Sequence, residues 1–441
     1  MNENVNHIVP DTWCVERLGD FVISEKGKKP KNISKVKTKT HHLPYVNIQA
    51  FEKNIVQEYT DGVGCVICEE NDFLMVWDGS RSGYIGKAIK GALGSTLVKI
   101  NFPGIVNDYA YYFLLSKYLQ INTRAKGTGT PHVDPGLLWN YRFPIAPYNE
   151  QKRIVEKIEE LFSDLDKGIE ILEKAQKQLR IYRQAVLKWA FEGKLTNERN
   201  IRWGALKEII DGVEYGSATK SQKQGRVPVL RMGNIQNGKF DWDDLVYTSD
   251  EEEIQKYLLK KDDVLFNRTN SPEWVGKTAI YKGERPAIFA GYLIRINRKK
   301  DLLDPNYLNY FLNSQVAKNH GNKVKSFGVN QSNINGTKLK AYPFPITSLT
   351  AQKKINQEIE SRLSVCDKIE EMIEESLKQS EALRYSILKK AFEGRLVTQD
   401  PNDEPASILL QRIKADKEKN KPVKKEREKK PKSRTKMKEE A

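Results

Sequence analysis

Apolar and small residues recur every four and then every three positions along one stretch of the chain. They are Ile154, Ile158, Leu161, Leu165, Gly168, Leu172, Ala175, Leu179, Tyr182, Val186 and Trp189. This is a heptad seam, and it predicts one long helix across residues 143–195 with a face that needs a partner helix. Asn149 stands where a side-chain oxygen caps the free amides of a first turn. Gly193 stands where a left-handed residue closes the last turn. Gly168 alone weakens the seam and marks the place where a bend is expected.

The stretch occurs twice. Residues 344–396 align with residues 143–195 without a gap, at an offset of 201. The shared positions include Phe143/Phe344, Pro144/Pro345, Ile145/Ile346, Gln151/Gln352, Lys152/Lys353, Ile154/Ile355 and Asp166/Asp367. The closing Ala-Phe-Glu-Gly of Ala190 to Gly193 returns as Ala391 to Gly394. Helix composition alone does not produce a match of this length. The chain is an internal duplication, and the partner that the seam needs is most simply the other copy.

Outside these stretches the pattern changes to short apolar runs punctuated by glycine, asparagine and aspartate, as strands and turns require. In the first block, a short helix leading into a strand is read over 13–23. Strands are read at 45–48, 63–67, 73–77, 85–88 and 97–100, a helix at 109–119 and a glycine-rich loop at 127–136. Residues 202–343 repeat that plan with a diverged sequence. Trp203 is matched to Trp13, 227–235 to 43–48, 262–281 to 73–89 (with Gly276 matched to Gly86), and 327–339 to the glycine-rich loop. The resulting plan is a first block at 1–142, a helical region at 143–201, a second block at 202–343, a second helical region at 344–398 and a tail at 399–441. The helices are alike and the blocks differ, so something common is held by the former and something variable is presented by the latter.

Composition narrows the class. A length of 441 residues suits two or three domains, and a formal net charge of +16 points to an anionic partner. No run of about 18 apolar residues suggests a membrane span, and the first residues lack the basic and apolar segments of a secretion signal. Four cysteines in such a length do not make a disulfide framework. A soluble cytoplasmic protein is expected. The end of the tail is nearly pure charge and cannot bury a core, so it reads as a disordered basic tail, or as a frayed helix at its start.

Candidate chemistry is sparse. Cys65 and Cys68 form one CxxC without a second pair, with His41 and His42 the only companions nearby, so core cysteines are favoured over a metal site. Neither the dinucleotide fingerprint nor the phosphate-loop signature is present. No adenine- or cytosine-methyltransferase motif is found, and a nuclease cluster of two acids and a lysine has too loose a signature to search for. Asp241, Asp243 and Asp244 read as a solvated turn.

The turns carry the side chains that contact base edges and phosphates. In the first block these are Lys26, Lys28, Lys29, Asn47, Ser80, Arg81, Ser82, Lys126, Thr128, Thr130 and His132. In the second they are Ser217, Thr219, Lys220, Arg231, Asn234, Asn267, Arg268, Thr269, Asn270, Ser326, Asn330, Gln331 and Asn333. Any one of these residues serves a turn more often than it touches a base. Their confinement to matching loops of two related blocks is the stronger signal.

Almost the whole chain resembles the specificity subunit of type I restriction–modification enzymes. The resemblance rests on the order of variable block, long helix, variable block and long helix. It also rests on the Phe-Pro-Ile lead-in, the Gln-Lys-x-Ile helix starts at Gln151 and Gln352, the Ala-Phe-Glu-Gly closures, and the segment 400–413. It implies an α+β fold in which two mixed α/β target recognition domains, related by a pseudo-twofold, are separated by two long antiparallel helices. Each domain then reads one half of a bipartite, asymmetric site in double-stranded DNA. The implied partners are two modification subunits that bind S-adenosylmethionine and methylate adenine, and restriction subunits that use ATP and Mg. No cofactor and no catalytic residue is implied for this chain.

A helix of about 43 residues is roughly 65 Å long, against about 34–36 Å for one turn of duplex, so helix length is expected to set the spacer between half-sites. The alternatives are a chain with its own nuclease or methyltransferase site, a coiled-coil scaffold whose blocks bind protein, and a specificity subunit of a methylation-only complex.

Overall fold

The computed structural model describes residues 9–127, 129–328 and 331–419. The chain divides into two compact units, one formed by Met1–Ile169 with Lys378–Ala441 and the other by Glu170–Leu377. Each unit therefore takes one block, half of the long helix that follows it in the chain and half of the other long helix. The class is α+β, as expected.

The two long helices run over Tyr148–Phe191 and Leu349–Phe392, 44 residues each, so their bounds also repeat at the offset of 201. In the second unit Arg183 bonds Asp367 and Glu370, while Phe191 and Ile359 share one core, so the two segments run antiparallel. In the first unit Arg384 bonds Asp166, and Phe392 shares a core with Ile158. The partner that each seam needs is thus the other copy.

Details of the helices differ from the sequence reading. Residues 142–145 are not helical: strand Arg142–Ile145 pairs antiparallel with Cys14–Arg17, and Pro343–Ile346 pairs likewise with Arg202–Ala205. Asn149 lies inside the first turn, not at its cap. Gly168 leaves the helix unbroken. Tyr182 and Trp189 are exposed, and the buried face near the end passes to Val186, Leu187, Ala190 and Phe191. A straight helix drifts by about 20° per heptad, which carries the last seam positions off the buried face. Gly193 (φ 75°) and Gly394 (φ 69°) do close the helices. Lys194 N–H bonds Trp189 O and Arg395 N–H bonds Lys390 O, both at 2.9 Å, the long capping bond of such an ending.

Within the first unit, strand Phe73–Val76 lies between Leu97–Asn101 and Ile85–Lys87, with Ile23–Lys26 beyond Leu97–Asn101. All four of its side chains are buried because the sheet is covered on both faces. Phe73 and Met75 join the core that holds the long helices, and Leu74 and Val76 join a second core with Val46 and Leu93. The second unit repeats this plan with Val264–Asn267 between Leu293–Arg298 and Thr278–Ile280. Val264 and Phe266 face one core and Leu265 the other. Each unit adds a further sheet with a parallel pair, Leu43–Val46 with Gly91–Leu93 and Val227–Leu230 with Ile288–Phe289.

Pairing corrects two of the block alignments. Leu18 N–H bonds Tyr141 O and Leu206 N–H bonds Tyr342 O, both at 2.9 Å, so Leu18 and Leu206 are equivalent and Trp203 matches Val15, not Trp13. Trp13 is buried and Trp203 is 49% exposed. Gly276 N–H bonds Asn267 O as Gly83 N–H bonds Val76 O, and both glycines have positive φ, so the mate of Gly276 is Gly83 and not Gly86. Residues 13–23 hold two strands around a single 3-10 turn (Leu18–Asp20) and no α-helix.

The shared motifs are joints between block and helix. Gln151 is fully buried; its oxygen accepts from Val106 N–H at 2.9 Å and its amide donates to Ala146 O at 2.8 Å. Gln352 makes the same bridge to Asp304 N–H and Thr347 O. Tyr109 donates to Pro144 O at 2.9 Å, and Tyr307 to Pro345 O at 3.1 Å.

Disorder from residue 399 onward does not hold for the start of the tail. Helix Ala406–Lys419 buries Ala406, Leu409 and Leu410 in the first unit's core. Asp403 bonds Arg153 at 2.6 Å and Lys414 bonds Glu16 at 3.0 Å. The apolar run at 408–410 supplies what the charged remainder lacks. Residues 420–441 lie outside the described residues.

Candidate nucleic-acid interface

In both units the loop leaving the central strand is joined to the glycine- or asparagine-rich loop that precedes the long helix. In the first unit, Val133 N–H bonds Trp77 O at 2.9 Å, Gly79 N–H bonds Pro131 O at 2.8 Å, and His132 bridges Asp78 and Lys126. In the second, Ile334 N–H bonds Arg268 O at 2.9 Å. Strand Ser332–Asn333 there pairs with Thr269–Asn270 and Ser326–Phe327. The equivalent positions are Asp78 and Thr269, His132 and Asn333, and Lys126 and Ser326. Two loops distant in sequence, one of them folded back on itself, thus meet in one short polar ladder per unit.

Many of the sequence candidates gather there. Lys26 reaches the first ladder through Asp78 at 2.9 Å, and Lys126 bonds Asp134 at 2.8 Å, which holds the Asp134 carboxyl below its ordinary range. Arg81 lies over the Tyr84 ring at 4.0 Å and bonds Glu52, and Ser80 and Thr130 are exposed alongside. In the second unit, Asn333 donates to Thr269 Oγ1 at 2.7 Å, and Arg268 lies 4.8 Å over the Tyr215 ring and donates to Gly291 O. Asn270 turns its oxygen to Ser271 N–H, and Gln331 is exposed. Thr128 and Asn330 lie outside the described residues.

Other candidates serve the fold instead. Ser82, Asn234 and Asn267 are buried, with exposures of 0%, 4% and 0%, so their side chains cannot reach a bound partner. Asn234 closes its own turn, accepting from Arg231 N–H and donating to the carbonyls of Asp241 and Asp244. Asn47 caps helix Ile48–Lys53, and Ser217 is buried with its hydroxyl on Thr219 N–H. Arg231 bonds Asp244. Lys28, Lys29, Thr219 and Lys220 are exposed and belong to neither ladder. Asparagine and serine build turns as readily as they read bases, and the sequence does not separate the two uses.

Sequence reasoning missed the aromatic residues at and beside the second ladder. Trp274 is 53% and Phe327 73% exposed. The Lys277 ammonium lies 4.1 Å over the Trp274 ring, and the Lys325 ammonium 5.4 Å over Phe327. Lys338 donates to Ser326 Oγ at 2.6 Å. The available signal was aromatic residues inside turns closely followed or preceded by lysine. In the CxxC, Cys68 is a core thiol facing the carbonyls of Ile89 and Gly91, and burial pushes it up to about 11.

Such a surface can accept hydrogen bonds from base edges, donate to them and neutralise phosphates. The family model for the type I restriction modification DNA specificity domain matches this chain twice, over residues 10–179 and 204–379. The chain belongs to that family. As a member it is the sequence-recognition, DNA-binding component of a type I restriction–modification system, and specificity subunits of this family are non-catalytic components. It is 29% identical to the type I restriction enzyme MjaVIII specificity subunit of Methanocaldococcus jannaschii, over 89% of this chain and 95% of that one. It is 28% identical to the EcoKI specificity subunit of Escherichia coli K12, over 72% of each. A chain from work on assembly and conformational transition of the type I R-M system matches with a TM-score of 0.70 at 18% identity, covering 88% of this chain and 99% of that chain. The HsdS subunit of Thermoanaerobacter tengcongensis matches with a TM-score of 0.52 at 17% identity, covering 88% and 98%. These two show a shared fold. No described helix is long and apolar enough to cross a membrane.

Proposed function

We propose that each unit reads one half of a bipartite DNA sequence through its polar ladder, and that the long helices carry the docking faces for two adenine-methylating modification subunits. Restriction subunits that use ATP and Mg complete the assembly, and S-adenosylmethionine is held by the modification subunits. The observation that carries this reading is the repetition of one ladder geometry with different side chains: His132 against Asn333, Asp78 against Thr269, and Lys126 against Ser326. A repeated frame with altered contents is what a site with two unlike halves requires.

The experiment is methylation mapping of DNA from cells carrying this chain with its modification subunits. A split motif with methylated adenines is the expected result. Loss of the motif's second half on replacing residues 202–343 by another block is the second expected result; an unaltered motif after that exchange would sink the assignment. An insertion of four residues beside Gly168 is expected to change the spacer and leave both half-sites as they were.

A further inference from the structure

The cations of the second unit fall into two sets. Its arginines largely sit with carboxylates: Arg202 with Glu208, Arg226 with Glu251, Arg231 with Asp244, and Arg295 with both Glu214 and Asp263. The lysines around Trp274 do not. Lys277 donates to Gln236 Oε1 at 3.1 Å and Ile235 O at 3.4 Å, both neutral. Lys325 donates to Pro272 O at 2.9 Å and Asn322 Oδ1 at 2.7 Å, also neutral. Lys318 lines the same cleft of about 250 Å³ with Trp274, Lys277, Gln315 and Asn322. Glu273 also lines it, but among the described residues no carboxylate stands within ion-pair distance of Lys277, Lys318 or Lys325.

Like charges gathered without a counter-charge oppose one another. Burial holds the Lys318 ammonium below its ordinary range, and burial together with the Lys318 charge does the same to Lys277. A bound anion removes that opposition. The cleft also opens beside the ladder, because Lys325 precedes Ser326–Phe327 and Trp274 follows Thr269–Asn270 in the chain.

We infer that the cleft between Trp274 and Lys318 is a phosphate clamp for the DNA backbone flanking the second half-site, separate from the base-reading ladder. Lys277 and Lys318 neutralise phosphate oxygens, Lys325 adds to the charge at the rim, and Trp274 gives the sugar an apolar wall. The clamp contributes affinity without sequence preference. This inference rests on the DNA-reading assignment above.

The full chain is titrated with a 30-base-pair random-sequence duplex over a series of salt concentrations, as wild type, as Lys277→Gln/Lys318→Gln, and as Arg226→Gln. The double variant is expected to lower the slope of log affinity against log salt by about 1 for each lysine. Arg226→Gln, which removes a charge outside the cleft, is expected to leave the slope close to that of wild type. Methylation mapping of the double variant is expected to return the wild-type motif. An unchanged slope, a slope equally reduced in Arg226→Gln, or an altered half-site overturns the clamp. A wild-type chain whose DNA affinity ignores salt overturns the DNA-reading assignment itself, so the two failures are told apart. Circular dichroism of each variant confirms that a lost slope does not come from a lost fold.

Discussion

The ring of Phe392 packs edge-on against Tyr109, with centroids 5.2 Å apart, although 282 residues lie between them in the chain. Phe191 makes the same contact with Tyr307, also at 5.2 Å. In each unit, two rings of a block helix, the Phe of the Phe-Pro-Ile strand and the last Phe of the other long helix form one cluster: Tyr109, Phe113, Phe143 and Phe392 in the first, Tyr307, Phe311, Phe344 and Phe191 in the second. Phe392→Ala removes a buried ring, and a cost of about 3–5 kcal/mol is expected. Hydrogen exchange should rise over Asn107–Thr123 and remain unchanged over Pro305–Leu312. Phe191→Ala should do the reverse. Equal protection in both variants would show that the rings do not anchor their own cores.

Arg183 bonds Asp367 at 2.7 Å and Glu370 at 2.9 Å, and Arg384 bonds Asp166, so the ion pairs obey the same offset as the sequence. Arg183 is mostly covered and its acidic partners are partly exposed, so a coupling of about 0.5–1 kcal/mol is expected between Arg183→Ala and Asp367→Ala in a double-mutant cycle. The coupling should shrink when the cycle is repeated in 1 M salt. A coupling near zero at low salt would leave the pair without a part in helix pairing.

The duplication, the helices and their internal partnership were legible because a heptad seam and a gapless repeat are local patterns. Asn149 and Trp189 were misread because the end of a helix packs on whatever block adjoins it, which the seam does not encode. The blocks were readable as a plan but not in register: Trp13 with Trp203 and Gly86 with Gly276 look alike as letters, and only strand pairing separates them from the true mates. At the candidate interface the two loops that pair were among those read from the sequence, but Asn234 and Asn267 were not separable from Asn333. All three read alike in the sequence as polar residues of turn-rich stretches, and only burial tells Asn234 and Asn267 from the partly exposed Asn333. Trp274 and Lys277 carried only a weak signal, because an aromatic with a lysine nearby in a turn is as readily part of a core as of a surface.

Three glycines make opposite demands. Gly193 and Gly394 have positive φ, and a Cβ there would stand 2.1 Å from Glu198 O and 2.4 Å from Pro10 Cγ. Alanine at either position is expected to cost more than about 1 kcal/mol. Gly168 is helical with nothing within 4 Å of an added Cβ. Gly168→Ala should therefore stabilise by about 0.5–1 kcal/mol, read as a raised midpoint in denaturant. A loss of stability there would mean that the position needs glycine for a reason outside its helical geometry.

Glu150 is almost fully buried and accepts from Trp13 Nε1–H at 3.1 Å, beside the Arg153–Asp403 pair. Burial raises its carboxyl above the ordinary range, partly offset by the Trp13 bond and the Arg153 charge. The folded state then holds this proton more tightly than the unfolded state. Its contribution to stability is present below the unfolded value of about 4.5 and is lost as pH rises through the raised folded value. Measured against Glu150→Gln, which cannot titrate, the wild type should gain relative stability as pH falls from 7 towards 4.5. A difference that stays flat over that window would contradict the sign.

Asn333 sits at the centre of the second ladder, and its amide donates to Thr269 Oγ1 at 2.7 Å, which fixes the direction of the side chain. On the proposed reading, its oxygen and its remaining N–H are left to meet a base edge, the pairing that suits adenine. Asn333→Ala removes both while leaving the strand Ser332–Asn333 to its backbone bonds. Loss of one good base contact weakens discrimination by about 1–3 kcal/mol, enough to make a fixed position degenerate. Methylation mapping should show one relaxed position in one half-site and an unchanged second half-site. Thr269→Val, which removes the acceptor that orients the amide, should relax the same position to a smaller extent. If the motif of Asn333→Ala is identical to that of the wild type while its affinity falls, the residue supports the loop and another side chain of the ladder reads the base.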